Sequence, residues 1–160
     1  YHEVIYAKTA CLFEAAARIG AMLGQVGSEQ EQALQTYGKH LGIAFQLIDD
    51  ALDYSSKSEE LGKNVGDDLA EGKPTLPLIR AMEVGNDAQR LLVREAIESG
   101  KIESLDEVRQ VIEDTGALQY TIEMAQSEAT AAKQAIAGLD DSEYRQAMMF
   151  LADYAVERSY

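Results

Sequence analysis

A chain of 160 residues with 46% hydrophobic residues suits one domain with a sizeable core and excludes wholesale disorder. Fourteen basic residues against 28 acidic ones leave a net charge of −14. This argues against a nucleic-acid partner and disfavours docking on an anionic membrane.

The single cysteine, Cys11, excludes an internal disulfide and fits a reducing, cytoplasmic setting. No apolar stretch approaches the ~20 residues of a membrane span, so no stable membrane insertion is expected. "YHEVIYAKTACLFEAAARIGAML" is helical in pattern from its first residue, without initiator Met, cap or leader, so the chain is expected to begin inside a domain. Apolar residues at Val4, Ile5, Cys11, Leu12, Ala15, Ala16, Ile19 and Leu23 recur at helical spacing. Gly24 and Gly27 suit the end of this helix.

Ser28 and Glu31 form a capping-box signature for a second helix over residues 29–54. Residues 55–74 are polar and rich in Gly, the longest irregular candidate, and long loops are often functional. Thr75 and Pro77 suit the start of a third helix reaching residue 84. Asp87 suits the cap of a helix that ends before Gly100, and Ser104 with Glu107 repeats the capping box. A long helix is predicted over 117–137, stopped by Gly138. Asp140 or Ser142 opens a last one to residue 158. No period-2 alternation of useful length occurs, so the predicted class is all-α.

The charge pattern of "FQLIDDALDY" points to chemistry. On a helix at about 100° per residue, Asp49, Asp50 and Asp53 fall on one face around Gln46. Leu41, Ala44, Phe45, Ile48, Ala51 and Leu52 gather opposite, as a core face. Gly38 and Gly42 border the acidic face and leave room for something bulky. Like charges at i,i+3 and i,i+4 repel, and the helix C-terminus already disfavours anions. A divalent cation reverses that sign, and hard oxygens in this number suit Mg²⁺ with waters and a substrate phosphate. The bland alternative is a solvated acidic face.

Downstream, "LGKNVGDDLAEGKPTLP" sets Lys63 and Lys73 in Gly-flanked positions, where backbone can approach a ligand and Lys supplies a point charge for phosphate. Lys8 and Thr9 offer a charge and a hydroxyl on the first helix. Asp67 and Asp68 read equally well as partners of the site or as the acidic start of a short helix.

Taken together, "KTA", "FQLIDDALDY" and "GKNVGDDLAEGKPTLPL" resemble the trans-type polyprenyl diphosphate synthases, with the bacterial octaprenyl-type enzymes of quinone side-chain synthesis as the nearest likeness. The likeness spans nearly the whole chain. It implies an all-α isoprenoid-synthase-type helical bundle, of which residues 1–160 would be the C-terminal part. It implies condensation of isopentenyl diphosphate onto an allylic prenyl diphosphate, with Mg²⁺ as cofactor and a homodimer in the full-length protein. The resemblance assigns Asp49 to the metal, with Asp50 and Asp53 beside it. It assigns Lys8, Lys63 and Lys73 to the allylic diphosphate, Thr9 and Gln46 to the reacting carbon and released proton, and Phe45 to the cavity.

The family's first aspartate-rich motif, with its adjacent arginines, has no counterpart here. "GDDLAE" lacks the third aspartate of that pattern. This segment alone is therefore expected not to turn over, and to expose helix faces that would pack on the absent half. Two alternatives remain open: a non-catalytic helical regulatory partner of a complete synthase, and a terpene cyclase. Intact aspartates weigh against the first, and the Lys-Thr and GKPTLP lysines against the second. A purely structural bundle is the bland reading.

Overall fold

The computed structural model describes residues 1–55, 66–100 and 102–157. The all-α prediction holds, since the described residues contain helices and turns and no strand. In chain order they are α1 (His2–Ile5), a π-helical turn (Tyr6–Ala10), α2 (Cys11–Leu23), α3 (Ser28–Leu52) and α4 (Asp67–Ala70). Then come α5 (Leu76–Val84), α6 (Asp87–Ser99), a 3₁₀ turn (Ile102–Ser104), α7 (Leu105–Asp114), α8 (Ala117–Ala135) and α9 (Glu143–Glu157). None of these helices is long and apolar enough to cross a membrane.

The chain forms two compact units. One holds Tyr1 with Asp49–Glu123, the other His2–Ile48 with Met124–Tyr160. The first unit is built on α5, α6 and α7. Leu69, Leu78, Val93, Val108 and Ile112 pack with Tyr54 in its core. Its helix ends follow local chemistry. Thr75 is extended, and Pro77 falls in the first turn of α5, where a missing N–H costs no helical bond. The cap of α6 is Asn86, not the expected Asp87. Asn86 Oδ1 accepts from the Gln89 N–H at 3.0 Å and Gln89 Oε1 from the Asn86 N–H at 2.9 Å. Asn86 has the extended backbone a cap requires, whereas Asp87 is already helical and pairs with Arg90. Ser104 fails as a cap for the same reason: a 3₁₀ turn delivers it at φ −91°, ψ 4°, and its side chain makes no capping bond.

In the second unit, Tyr37, Leu41, Ala132, Ile136 and Ala152 form the core, and the Tyr37 hydroxyl donates to the Met148 carbonyl at 2.8 Å. The Ser28–Glu31 box is not used in α3. Glu31 accepts from Arg18 at 2.8 Å, and Gln30 takes the Gly27 N–H at 3.4 Å. Ser142, one of the two predicted openers of α9, does accept from the Arg145 N–H at 3.2 Å. Two other helix ends move: α3 stops at Leu52 and α8 at Ala135.

Gly38 and Gly42 overturn their expected role. A Cβ on Gly38 would lie 2.5 Å from the Phe13 carbonyl oxygen, and one on Gly42 would lie 2.6 Å from the Ala10 Cα. The glycines therefore admit a neighbouring backbone, not a ligand. The helix that docks there buries small residues, Ala10 and Ala21. Its large apolar stripe is left out: Leu12, Ile19 and Leu23 are 72%, 56% and 80% exposed. On α9, Tyr144 and Phe150 are exposed too.

Gly42→Ala is expected to lose about 1–2 kcal/mol of stability in urea unfolding, because overpacking outweighs the ~1 kcal/mol gain in helix propensity. Gly20→Ala, with nothing within 4 Å of its new methyl, is expected to gain up to ~1 kcal/mol in the same measurement. Equal effects at the two positions would rule out the close-approach role of Gly42.

Candidate active site

In the first unit the acidic stretch ends α3. Asp50 is 3% exposed, and Asp49 and Asp53 are half-buried. The solvated-face reading thus fails, because the acidic side of this helix is covered. The Tyr1 hydroxyl donates to Asp50 Oδ2 at 2.5 Å. Sequence reasoning missed Tyr1, which lies 49 positions from Asp50 in the chain, so no helical spacing could have joined them.

Asp53 sits just past the helix end. Its Oδ1 accepts from the Asp67 N–H at 3.2 Å and its Oδ2 from the Asp68 N–H at 3.1 Å. The two roles left open for Asp67 and Asp68 are both met: they open the short helix α4, and their amides hold Asp53. The expected irregular stretch 55–74 thus contains a helix. Gly66 precedes it at φ 86°, where a side chain would be strained and a Cβ would also meet Leu105 at 2.8 Å.

Burial pushes the Asp53 carboxyl up from 3.8 to about 6. The two amides oppose the rise, and the Asp68 and Asp67 charges add to it. Lys73, expected on a diphosphate, is exposed and pairs instead with Glu71 and, at 3.6 Å, with Asp68. The Glu71 hydrogen bond first, then the nearby carboxylates, raise its pKa. Lys63 lies outside the described residues.

Among the described residues, no group of three His, Cys, Asp or Glu side chains converges as a ready metal-binding set. The donors nevertheless fit a hard, hydrated cation. Such an ion takes one or two carboxylates directly and keeps its waters. The buried Tyr54 and Thr75 hydroxyls have no hydrogen-bond partner by distance and angle, so water can satisfy them. The negative charge of Asp53, Asp67 and Asp68 is what such an ion offsets.

The second unit holds Lys8, Thr9, Phe45 and Gln46. The π-helical turn carries Lys8 and Thr9, and sequence periodicity gave no sign of it; such turns are frequent at functional sites. In an ordinary helix a Thr hydroxyl often bonds its own preceding turn. Here Thr9 Oγ1 reaches across to Gln46 Oε1 at 2.6 Å. Gln46, placed by projection away from the core, is 4% exposed. Phe45, placed on the core face, is only half-buried and stands 5.5 Å from the Phe13 ring centroid. Lys8 is exposed.

The raised Asp53 value fixes a pH dependence. A carboxyl whose folded pKa lies above its unfolded one contributes stability that is present below the unfolded value of 3.8 and lost as pH rises through about 6. In metal-free buffer, Asp53→Asn is expected to gain on the parent protein by about 1 kcal/mol between pH ~4 and pH ~7.5, after allowance for solvent screening. Urea midpoints at the two pH values measure this, and a difference that does not change with pH refutes the burial account.

Comparison with known proteins agrees with these motifs. The polyprenyl synthetase family model matches residues 1–115. An octaprenyl diphosphate synthase from Haemophilus influenzae is 53% identical over 100% of this chain and 49% of its own length. The crystal structure of a decaprenyl diphosphate synthase from Rhodobacter capsulatus superposes with a TM-score of 0.92 at 42% identity, covering 100% of this chain and 50% of that one. A polyprenyl synthase from Caulobacter crescentus, solved with calcium and isoprenyl diphosphate, gives a TM-score of 0.92 at 42% identity over 100% and 49% of the two chains. The chain spans about half the length of the curated relatives it matches. With the family model matching residues 1–115 and these likenesses running through the aspartate and lysine motifs, the chain belongs to the polyprenyl synthetase family.

Proposed function

We propose that this chain is the C-terminal part of a trans-prenyltransferase that condenses isopentenyl diphosphate onto an allylic diphosphate to build a long linear polyprenyl diphosphate. The observation that carries the reading is the acidic cluster of the first unit. Asp49, Asp50 and Asp53 end one helix, and the amides of Asp67 and Asp68 bind Asp53. Membership of the family and the calcium and isoprenyl diphosphate in the Caulobacter relative support it.

In this reading Asp49, Asp50 and Asp53 hold Mg²⁺, which when bound supplies a Lewis acid for the departing diphosphate. Lys8, Lys63 and Lys73 bind the allylic diphosphate. Lys73 exchanges its Glu71 and Asp68 contacts for phosphate oxygens, which accept from a lysine more strongly than an exposed carboxylate does. As the allylic carbon–oxygen bond breaks, the isopentenyl double bond attacks the carbon and a proton is then lost. The Thr9–Gln46 pair presents neutral dipoles, suited to steadying developing positive charge without trapping it as a carboxylate would. The Phe45 ring face, beside Phe13, favours a cation on the same grounds.

The proposal includes a homodimeric full-length protein and a cytoplasmic setting, the last consistent with the single cysteine. Labelled isopentenyl incorporation by the full-length protein tests it. A linear diphosphate product supports the synthase reading and a cyclic hydrocarbon overturns it. Asp49→Ala in that protein is expected to cut turnover by about 100-fold or more, the equivalent of ~3 kcal/mol of lost charge stabilisation, with far-UV dichroism unchanged. Turnover at the parent rate would remove the metal role of Asp49.

A further inference from the structure

We infer that the Tyr1 hydroxyl is a positioning group for Asp50, fixing the direction in which that carboxylate faces. This rests on the proposed metal role of the aspartates.

Three observations carry it. The contact is short, 2.5 Å from Tyr1 Oη to Asp50 Oδ2, at the tight end of hydroxyl–carboxylate bonds. It is tertiary, so it reflects how the unit is built and not a local turn. Finally, Asp50 is 3% exposed, so the carboxylate that the phenol meets is held inside the unit.

The chemistry suits a site for a cation. A phenol orients the carboxylate by a hydrogen bond and brings no charge of its own.

Tyr1→Phe removes one oxygen and keeps the ring. The test is a Mn²⁺ titration of the 160-residue chain, followed by electron paramagnetic resonance. The parent protein, Tyr1→Phe and Asp49→Ala are compared, with far-UV dichroism of each in metal-free buffer. The Mn²⁺ Kd is expected to rise about 10-fold or more in Tyr1→Phe, the usual effect of losing a partner that orients a metal-binding carboxylate, with helix content unchanged. An unchanged Kd in Tyr1→Phe, with Asp49→Ala impaired, overturns the Tyr1 role and leaves the metal reading standing. A tighter Kd also overturns it, because the hydroxyl would then compete with the ion for Asp50. Loss of helix from this one-atom change makes Tyr1 a structural residue and likewise ends the assignment. If the parent protein shows no saturable Mn²⁺ binding, or Asp49→Ala binds as well as the parent, the metal reading falls and the Tyr1 role falls with it.

Discussion

One carboxylate, Asp53, holds the acidic segment of the first unit together. It closes α3 and at the same time receives the first amides of α4. A hydrogen bond to a charged group contributes about 1.5–3 kcal/mol, so two of them should keep the group ionised. Its pKa rises all the same, because burial outweighs the amides, and the charges of Asp67 and Asp68 work with burial. The start of α4 is therefore held by a group whose own charge is disfavoured. A fold designed only for stability would place an asparagine there. The two amides of α4 nevertheless fix where that carboxylate lies.

The residues singled out from the sequence divide between the two units. Asp49, Asp50, Asp53 and Lys73 belong to the first, and Lys8 belongs to the second. The hydroxyl–amide pair and the two phenylalanines belong to the second.

Helix existence and class were legible in sequence because period and turn residues act locally. Thr75 with Pro77, Gly100 and Ser142 mark helix ends where the structure has them. Ser28, Asp87 and Ser104 mislead because a capping side chain works only on an extended backbone, and dihedrals are set by what precedes them. The aspartates could be grouped on one face by projection alone. Their partners could not: Tyr1 and the α4 amides reach them through tertiary packing, which a helical wheel does not contain. Projection also assumes that opposite faces differ in exposure. Along α3 from Leu41 to Leu52 nearly every residue is covered, so Gln46 and Asp50 are buried as deeply as the leucines.

The π-helical turn over Tyr6–Ala10 explains a further miss. Ile5, Leu12 and Ile19 are seven apart and would share one stripe of a straight α-helix. The turn admits one extra residue, advancing the helical phase by about 100° between α1 and α2. Ile5 is accordingly buried at 3% while Leu12 and Ile19 lie in the open. The extra residue acts as a frame shift in three dimensions. It spends the apolar repeat of the first 23 residues on two different directions. Deleting one residue from this turn would restore the repeat and rotate Thr9 off Gln46, so this short stretch is constrained by its length as much as by its side chains.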